Sequence, residues 1–233
     1  MFRLLQWAAL AAITATSLAS SGDNPDPRGN RDMPSTQPPG DRPEPASTRQ
    51  RLRQPRIHPV EKEAWSEVQR KLLEPIDQRG RLYNVHKTMA NHPALARDWL
   101  TFATYVLRDN SLPPRDREVL ILRIGRLCHA EYEWAQHARI GKRAGLTDED
   151  LQRIFEGPDA AGLSEHDRLL LQAVDELHGD AFVTDATWNG LAQTYSTKQM
   201  MDLVFTVGEY NLVSMALNSF GVQLDEGLDG FPE

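Results

Sequence analysis

Residues 118–145 read EVLILRIGRLCHAEYEWAQHARIGKRAG. The first part follows the breaker Pro113-Pro114 and is apolar at Val119, Leu120, Ile121, Leu122 and Ile124, which predicts a strongly apolar helix over Arg117–Leu127. The second part predicts a helix over Glu131–Ala144. Gly145 closes it as a C′ glycine, and Lys142 and Arg143 stand in its last turn, where cations suit the helix dipole.

Outward from this pair the pattern stays helical. Val60–Leu73 predicts a first helix ending near Pro75, and Trp99, Leu100, Phe102, Ala103, Val106 and Leu107 recur at helical spacing. Thr147-x-x-Asp150 and Ser164-x-x-Asp167 are capping-box starts for two further helices. Ser196-x-x-Gln199 opens a long one that runs to about Phe220, before Gly221. No stretch alternates apolar and polar residues over a useful length. The fold class is therefore all-α, a helical bundle or orthogonal helical array. The last helix is apolar on much of its circumference, from Met200 and Met201 through Phe205 and Leu212 to Leu217. A helix apolar all round is normally buried. One small domain offers few partners for it, so self-association is expected.

The central stretch also carries the candidate chemistry. Glu118 shares its helix face with Ile121, Leu122 and Gly125. Apolar neighbours desolvate a carboxylate and favour its neutral form, which prepares it for proton transfer. An acid in the first turn of a helix also simply suits the dipole. Glu133 and His137 are four apart and lie on one face, with Ala130, Trp134, Ile140, Gly141 and Ala144 around them. Small residues beside a Glu–His pair leave room for a ligand or for a close helix. The same spacing also suits a surface ion pair or a core histidine bonded to one acid. His129 extends the run to i, i+4, i+8, but two turns separate His129 from His137 by about 12 Å. One metal cannot bridge that distance, so no metal site is expected. If the helix is continuous, Cys128 lies about 180° from His137, on a face with Tyr132, Arg139 and Lys142, as a packed or inert thiol.

Composition narrows the partners. The chain has 233 residues, 40 % hydrophobic and 25 % charged, within the ordinary globular range. Its net charge of −7 argues against nucleic acid. With Cys128 alone, one chain has neither an internal disulfide nor a two-cysteine redox pair. Residues 1–21 read as a secretory signal: Arg3, a mostly apolar run from Leu4 to Ala19, and the small-x-small pattern Ser17-Leu18-Ala19. The run is too short and polar for a stable membrane span. A secreted or periplasmic location follows, or a cytoplasmic one if the start is misassigned. Residues 22–56 are rich in Pro, Ser, Asp and Arg without an apolar period, and read as a disordered linker. Residues 57–233 form the domain.

Arg115-x-Arg117-Glu118, Glu131-Tyr132-Glu133-Trp134-x-x-His137 and Ala144-Gly145-Leu146 together resemble the carboxymuconolactone decarboxylase-like family of the alkylhydroperoxidase D-like (AhpD-like) superfamily. Asn84-Val85-His86, Asn91-His92-Pro93, Gly208-x-Tyr210-Asn211 and Asn218-x-x-Gly221 extend the resemblance over nearly all of residues 57–225. It implies the AhpD-like helical fold and assembly into trimers or larger rings. The alkylhydroperoxidase branch uses a glutamate, a cysteine-x-x-cysteine and a histidine. Here Glu118 and His137 match the first and last, while Ala130 and Glu133 occupy the cysteine positions. The dithiol cycle cannot run in this chain. The decarboxylase branch works on a lactone by acid/base groups without any cofactor, and the residues retained lean toward that style.

The leading expectation is thus a cofactor-free acid/base enzyme acting on a small organic acid, lactone or carbonyl compound. Glu118 would be the buried acid/base and His137 the proton shuttle. Glu133 would orient the ring or act as a second acid, and Tyr132, Trp134 and Ala130 would line or flank the pocket. One alternative is a peroxidase with Cys128 as its single redox centre. The other is a non-catalytic oligomeric binding protein on the same scaffold.

Overall fold

The structure is a computed structural model and describes residues 52–232. The signal-like segment and most of the linker lie outside the described residues. A 3-10 turn, Lys62–Ala64, leads into α1 (Glu67–Asp77), α2 (Asn84–Met89), α3 (Pro93–Thr104), α4 (Pro114–Leu127), α5 (Glu131–Arg143), α6 (Asp148–Glu156), α7 (Glu165–Asp180), α8 (Asp185–Leu191) and α9 (Thr197–Phe220). Among the described residues there is no strand. The fold is all-α, as the periodicity predicts.

α4 is the axis of the domain. It packs against α5, α6, α7 and α9. Val119, Leu120, Ile121, Leu122 and Ile124 have no exposed surface, so the apolar run of this helix is buried on every side. Arg123, one of its buried charged residues, is fully engaged: Nε and Nη2 donate to the two carboxylate oxygens of Asp175 at 2.7 Å each. Nη1 donates to the carbonyls of Ile154 and Phe155. A bidentate pair of this kind ties α4 to α7 and α6.

Several starts and stops follow the sequence. Thr147 and Ser196 make reciprocal capping boxes with Asp150 and Gln199, and Ser164 accepts from the Asp167 amide. Gly145 and Gly221 adopt φ of +102° and +70°, the left-handed region open to glycine. Other boundaries differ. The first helix begins at Glu67 rather than Val60, because Ser66 and Gln69 form a capping box that sets its start. It runs through Pro75 to Asp77. In the last turn a proline forfeits only one hydrogen bond. The short helices α2 and α8 carry too few turns to show a period. α3 ends in a π-turn over Tyr105–Asp109, closed by Asn110 N–H donating to the Tyr105 carbonyl.

The junction of α4 and α5 decides the site. α4 does not run on into α5. It ends at Leu127, Cys128 caps it, and His129 takes φ +52°. The Ala130 amide then donates to the Gly125 carbonyl at 2.8 Å and α5 starts back alongside α4. One glycine from each helix stands in the seam. A Cβ on Gly141 would stand 3.6 Å from Glu118 Cβ and 2.8 Å from Leu146 Cδ1, and one on Gly125 would stand 3.5 Å from Glu133 Cβ. Glu118 is thereby brought opposite His137. Arg56 and Ile57 donate their amides to the Phe220 carbonyl, so the chain entering the domain lies against the end of α9.

Candidate active site

Glu118, Glu133 and His137 come together in the α4–α5 seam. His137 Nδ1 meets Glu118 Oε2 at 2.6 Å, and Nε2 meets Glu133 Oε1 at 3.0 Å. All three are buried: Glu118 has no exposed surface and the other two are 5 % exposed. Arg117 Nε donates to the other Glu118 oxygen at 3.2 Å. The imidazole therefore lies between two carboxylates, donating from both nitrogens as an imidazolium. Burial opposes that charge, but the Glu118 and Glu133 carboxylates outweigh it and push His137 up to about 10. The Tyr210 ring meets the imidazole edge to face, with centroids 4.9 Å apart.

The remaining expectations separate. Tyr132 and Trp134 do not flank this cluster. They stand about 100° either side of Glu133 on the helix, so they diverge from its face. The Tyr132 hydroxyl donates to Asp225 at 2.6 Å and accepts from the Val85 amide, and its ring packs with Val213, Leu217 and Val222. Trp134 packs against Phe155 and Phe231 in the main core. Ala130 is the fully buried N-cap of α5. His129, in the left-handed turn before α5, faces Arg126 at 3.5 Å, so the His129–Glu133–His137 ladder does not form. Among the described residues no group of three or more His, Cys, Asp or Glu is arranged to hold a metal.

Cys128 also departs from the reading that assumed one continuous helix. The break turns its thiol away from Tyr132, Arg139 and Lys142 and toward α7 and α9. Sγ donates to Asn211 Oδ1 at 3.0 Å and lies 3.9 Å from His178 Nδ1.

Three participants were missed: Tyr210, Glu209 and Trp99. The Trp99 indole N–H donates to Glu209 Oε1 at 2.8 Å, and Glu209 is 5 % exposed. Burial, then the nearby Glu133 charge, push Glu209 up to about 6, against the lowering effect of the Trp99 hydrogen bond. A signal existed in the sequence: Glu209 is an acid in the middle of a helix that is otherwise apolar on most sides, beside the motif tyrosine Tyr210.

A family model, the carboxymuconolactone decarboxylase family, matches residues 93–176, the segment that contains α3 to α5 and both relay positions. That match supports the carboxymuconolactone decarboxylase/AhpD-like resemblance read from the sequence. No curated protein matches its sequence. Several solved AhpD-like structures share the fold. An AhpD-core, uncharacterized peroxidase-related protein from Ralstonia eutropha aligns at TM-score 0.64 and 17 % identity, over 73 % of this chain and 92 % of that one. A peroxidase-related protein from Silicibacter aligns at TM-score 0.61 and 14 % identity, over 78 % and 95 %. The debrominase Bmp8, whose structure includes a complex with 2,3,4-tribromopyrrole, aligns at TM-score 0.59 and 14 % identity, over 73 % and 92 %. At these identities the likeness is one of fold.

Proposed function

We propose that this protein is a cofactor-free acid/base enzyme acting on a small organic acid, lactone or carbonyl compound. The observation that carries the reading is the unbroken hydrogen-bonded chain Glu133–His137–Glu118. Glu133 takes a proton from substrate and holds it, and the His137 Nδ1 proton moves to Glu118, which leaves a neutral imidazole whose Nε2–H still donates to Glu133. The seam thereby passes from one cation between two anions to three neutral groups, and none of the three is left with an unpaired charge. Arg117 steadies the far oxygen of Glu118. With Ala130 and Glu133 at the dithiol positions, the proton-handling half of the superfamily's machinery is what this chain retains.

The test is exchange of α-protons for deuterium in D2O, followed by NMR, over a panel of small lactones and ketones. Wild-type protein accelerates exchange, and His137→Ala abolishes most of it. No acceleration on any member of the panel overturns the reading. A second reading rests on the thiol: Cys128 lies 3.9 Å from the His178 ring, a base that could accept its proton. A peroxide-consumption assay, compared with Cys128→Ser, separates the two. We also propose self-association through α9 and export from the cytoplasm. The first is supported by the exposed apolar residues of that helix, the second by the signal-like segment 1–21.

A further inference from the structure

The relay offers a base but no donor for a substrate oxygen. His137 spends both of its N–H groups on Glu118 and Glu133, and Arg117 spends its Nε–H on Glu118. Taking a proton from the carbon beside a carbonyl puts negative charge on the carbonyl oxygen. That charge is stabilised by a donor already in place.

Tyr210 of α9 is an uncharged group set against this relay. Its ring meets the imidazole edge to face, with centroids 4.9 Å apart, and belongs to the main apolar core. A buried tyrosine ordinarily gives its hydroxyl a partner. Tyr195 and Tyr132 do so here, donating to Asp116 and Asp225 at 2.6 Å each. Tyr210 does not: among the described residues no hydrogen bond engages its hydroxyl. A phenylalanine would fill the same space without an unspent polar group, so packing does not account for the hydroxyl. Nor is it sealed in. The sealed side-chain atoms without a partner are Arg126 Nε, Arg139 Nε and Ser214 Oγ, and the Tyr210 hydroxyl is not among them. Glu133 and His137 keep 5 % of their surface exposed and Tyr210 keeps 6 %, so the cluster is open at its edge. Burial, then the charges of Glu133, Glu118 and Glu209, hold the Tyr210 proton well above the ordinary tyrosine range, against the effect of Arg117. The hydroxyl therefore donates a hydrogen bond and does not ionise.

Resting on the acid/base reading above, we infer that Tyr210 is a catalytic residue whose hydroxyl donates to the carbonyl oxygen of the substrate while Glu133 removes a proton from the adjacent carbon. In the step, the C–H pair becomes a C=C bond and the carbonyl π pair moves onto oxygen. The oxygen is then an enolate held by the Tyr210 O–H, and Glu133 carries the substrate proton. The reverse step returns that proton to carbon. The hydrogen bond strengthens as charge develops on the oxygen, which lowers the barrier more than it tightens substrate binding.

The experiment follows α-proton exchange in D2O on small lactones and ketones, with the full chain as wild type, Tyr210→Phe and His137→Ala. Tyr210→Phe keeps the ring against His137 and deletes the hydroxyl. It lowers kcat by about 10²–10³-fold, the usual loss on removing one oxyanion donor. Its melting temperature equals or exceeds that of wild type, because the hydroxyl has no protein partner to lose. A wild-type rate in Tyr210→Phe, with His137→Ala inactive, overturns this inference and leaves the acid/base reading standing. A lower melting temperature in Tyr210→Phe shows the hydroxyl held within the protein and overturns it as well. If wild type exchanges nothing, the acid/base reading fails, and 4-nitrophenol decides the donor site. This phenol mimics an enol, and its phenolate absorbance is read at a pH below its own ionisation. Phenolate formed on wild type but not on Tyr210→Phe upholds the site; equal phenolate on both, or none, removes it.

Discussion

His137 is the residue on which the site turns. It is a cation held between two buried carboxylates, and removing it takes from Glu133 its ion-pair partner and leaves Glu118 with Arg117 alone. His137→Ala should lower stability by about 3–5 kcal/mol, the usual cost of breaking a buried pair from one side, as read by urea unfolding. The same raised proton affinity sets a pH dependence. Because the folded-state value of about 10 lies above the ordinary 6.5, this stabilisation is complete below about 6.5 and is lost as pH rises toward 10. Melting temperatures in a pH series should fall on the alkaline side, and much less steeply in His137→Ala. For activity, Glu118→Gln interrupts proton acceptance while keeping the side-chain shape. It should cost on the order of 10²–10⁴-fold in exchange rate. Cys128→Ser should leave the rate largely intact, since its thiol faces Asn211 and His178 rather than the relay. The opposite pattern would put the peroxidase reading in its place.

At the level of helices, the site depends on how closely α4 and α5 approach. Gly141 is where a side chain would come between them, toward Leu146, Leu122 and Glu118. Gly141→Val should press the helices apart, cost about 1–3 kcal/mol by overpacking, and lengthen the Glu118–His137 contact. The prediction is a lower melting temperature together with a loss of exchange activity; full activity in a destabilised protein would show that the helix spacing does not position the relay. The break at His129 acts on the same scale. It reverses the chain after α4, and for that reason Cys128 and His129 do not share a helix with Glu133 and His137.

For the whole molecule, the open question is what covers α9. Met201, Phe205, Leu212 and Met215 are each more than half exposed. They are spaced four, seven and three residues apart, which places them along one stripe of the helix. Phe102 of α3 meets Phe205 edge to face, with centroids 6.3 Å apart, and widens the patch. A contiguous apolar patch of this kind marks an association surface. Sedimentation at micromolar concentration should show an oligomer, and Phe205→Glu with Leu212→Glu should shift it to monomer without loss of helical signal. A monomeric wild type would refute self-association through this face.

The all-α class, the long helices, most of their caps and the Glu118/Glu133/His137 set were legible in the sequence. All of them depend on local rules: a 3.6-residue period, a capping side chain three residues from its amide, a glycine where φ is positive, residues four apart on one helix. Motif resemblance supplied the link between Glu118 and His137, nineteen positions apart. What tertiary structure alone decided is everything that depends on the chain turning back or on separate helices meeting. The left-handed turn at His129 redirected Cys128. The helices that meet α5 decided which cores Tyr132 and Trp134 enter. Trp99 on α3 and Glu209 on α9, 110 positions apart, meet because both helices pack at the same place. No periodicity encodes such a contact, because it is fixed by how the helices pack against one another and not by spacing within any one of them.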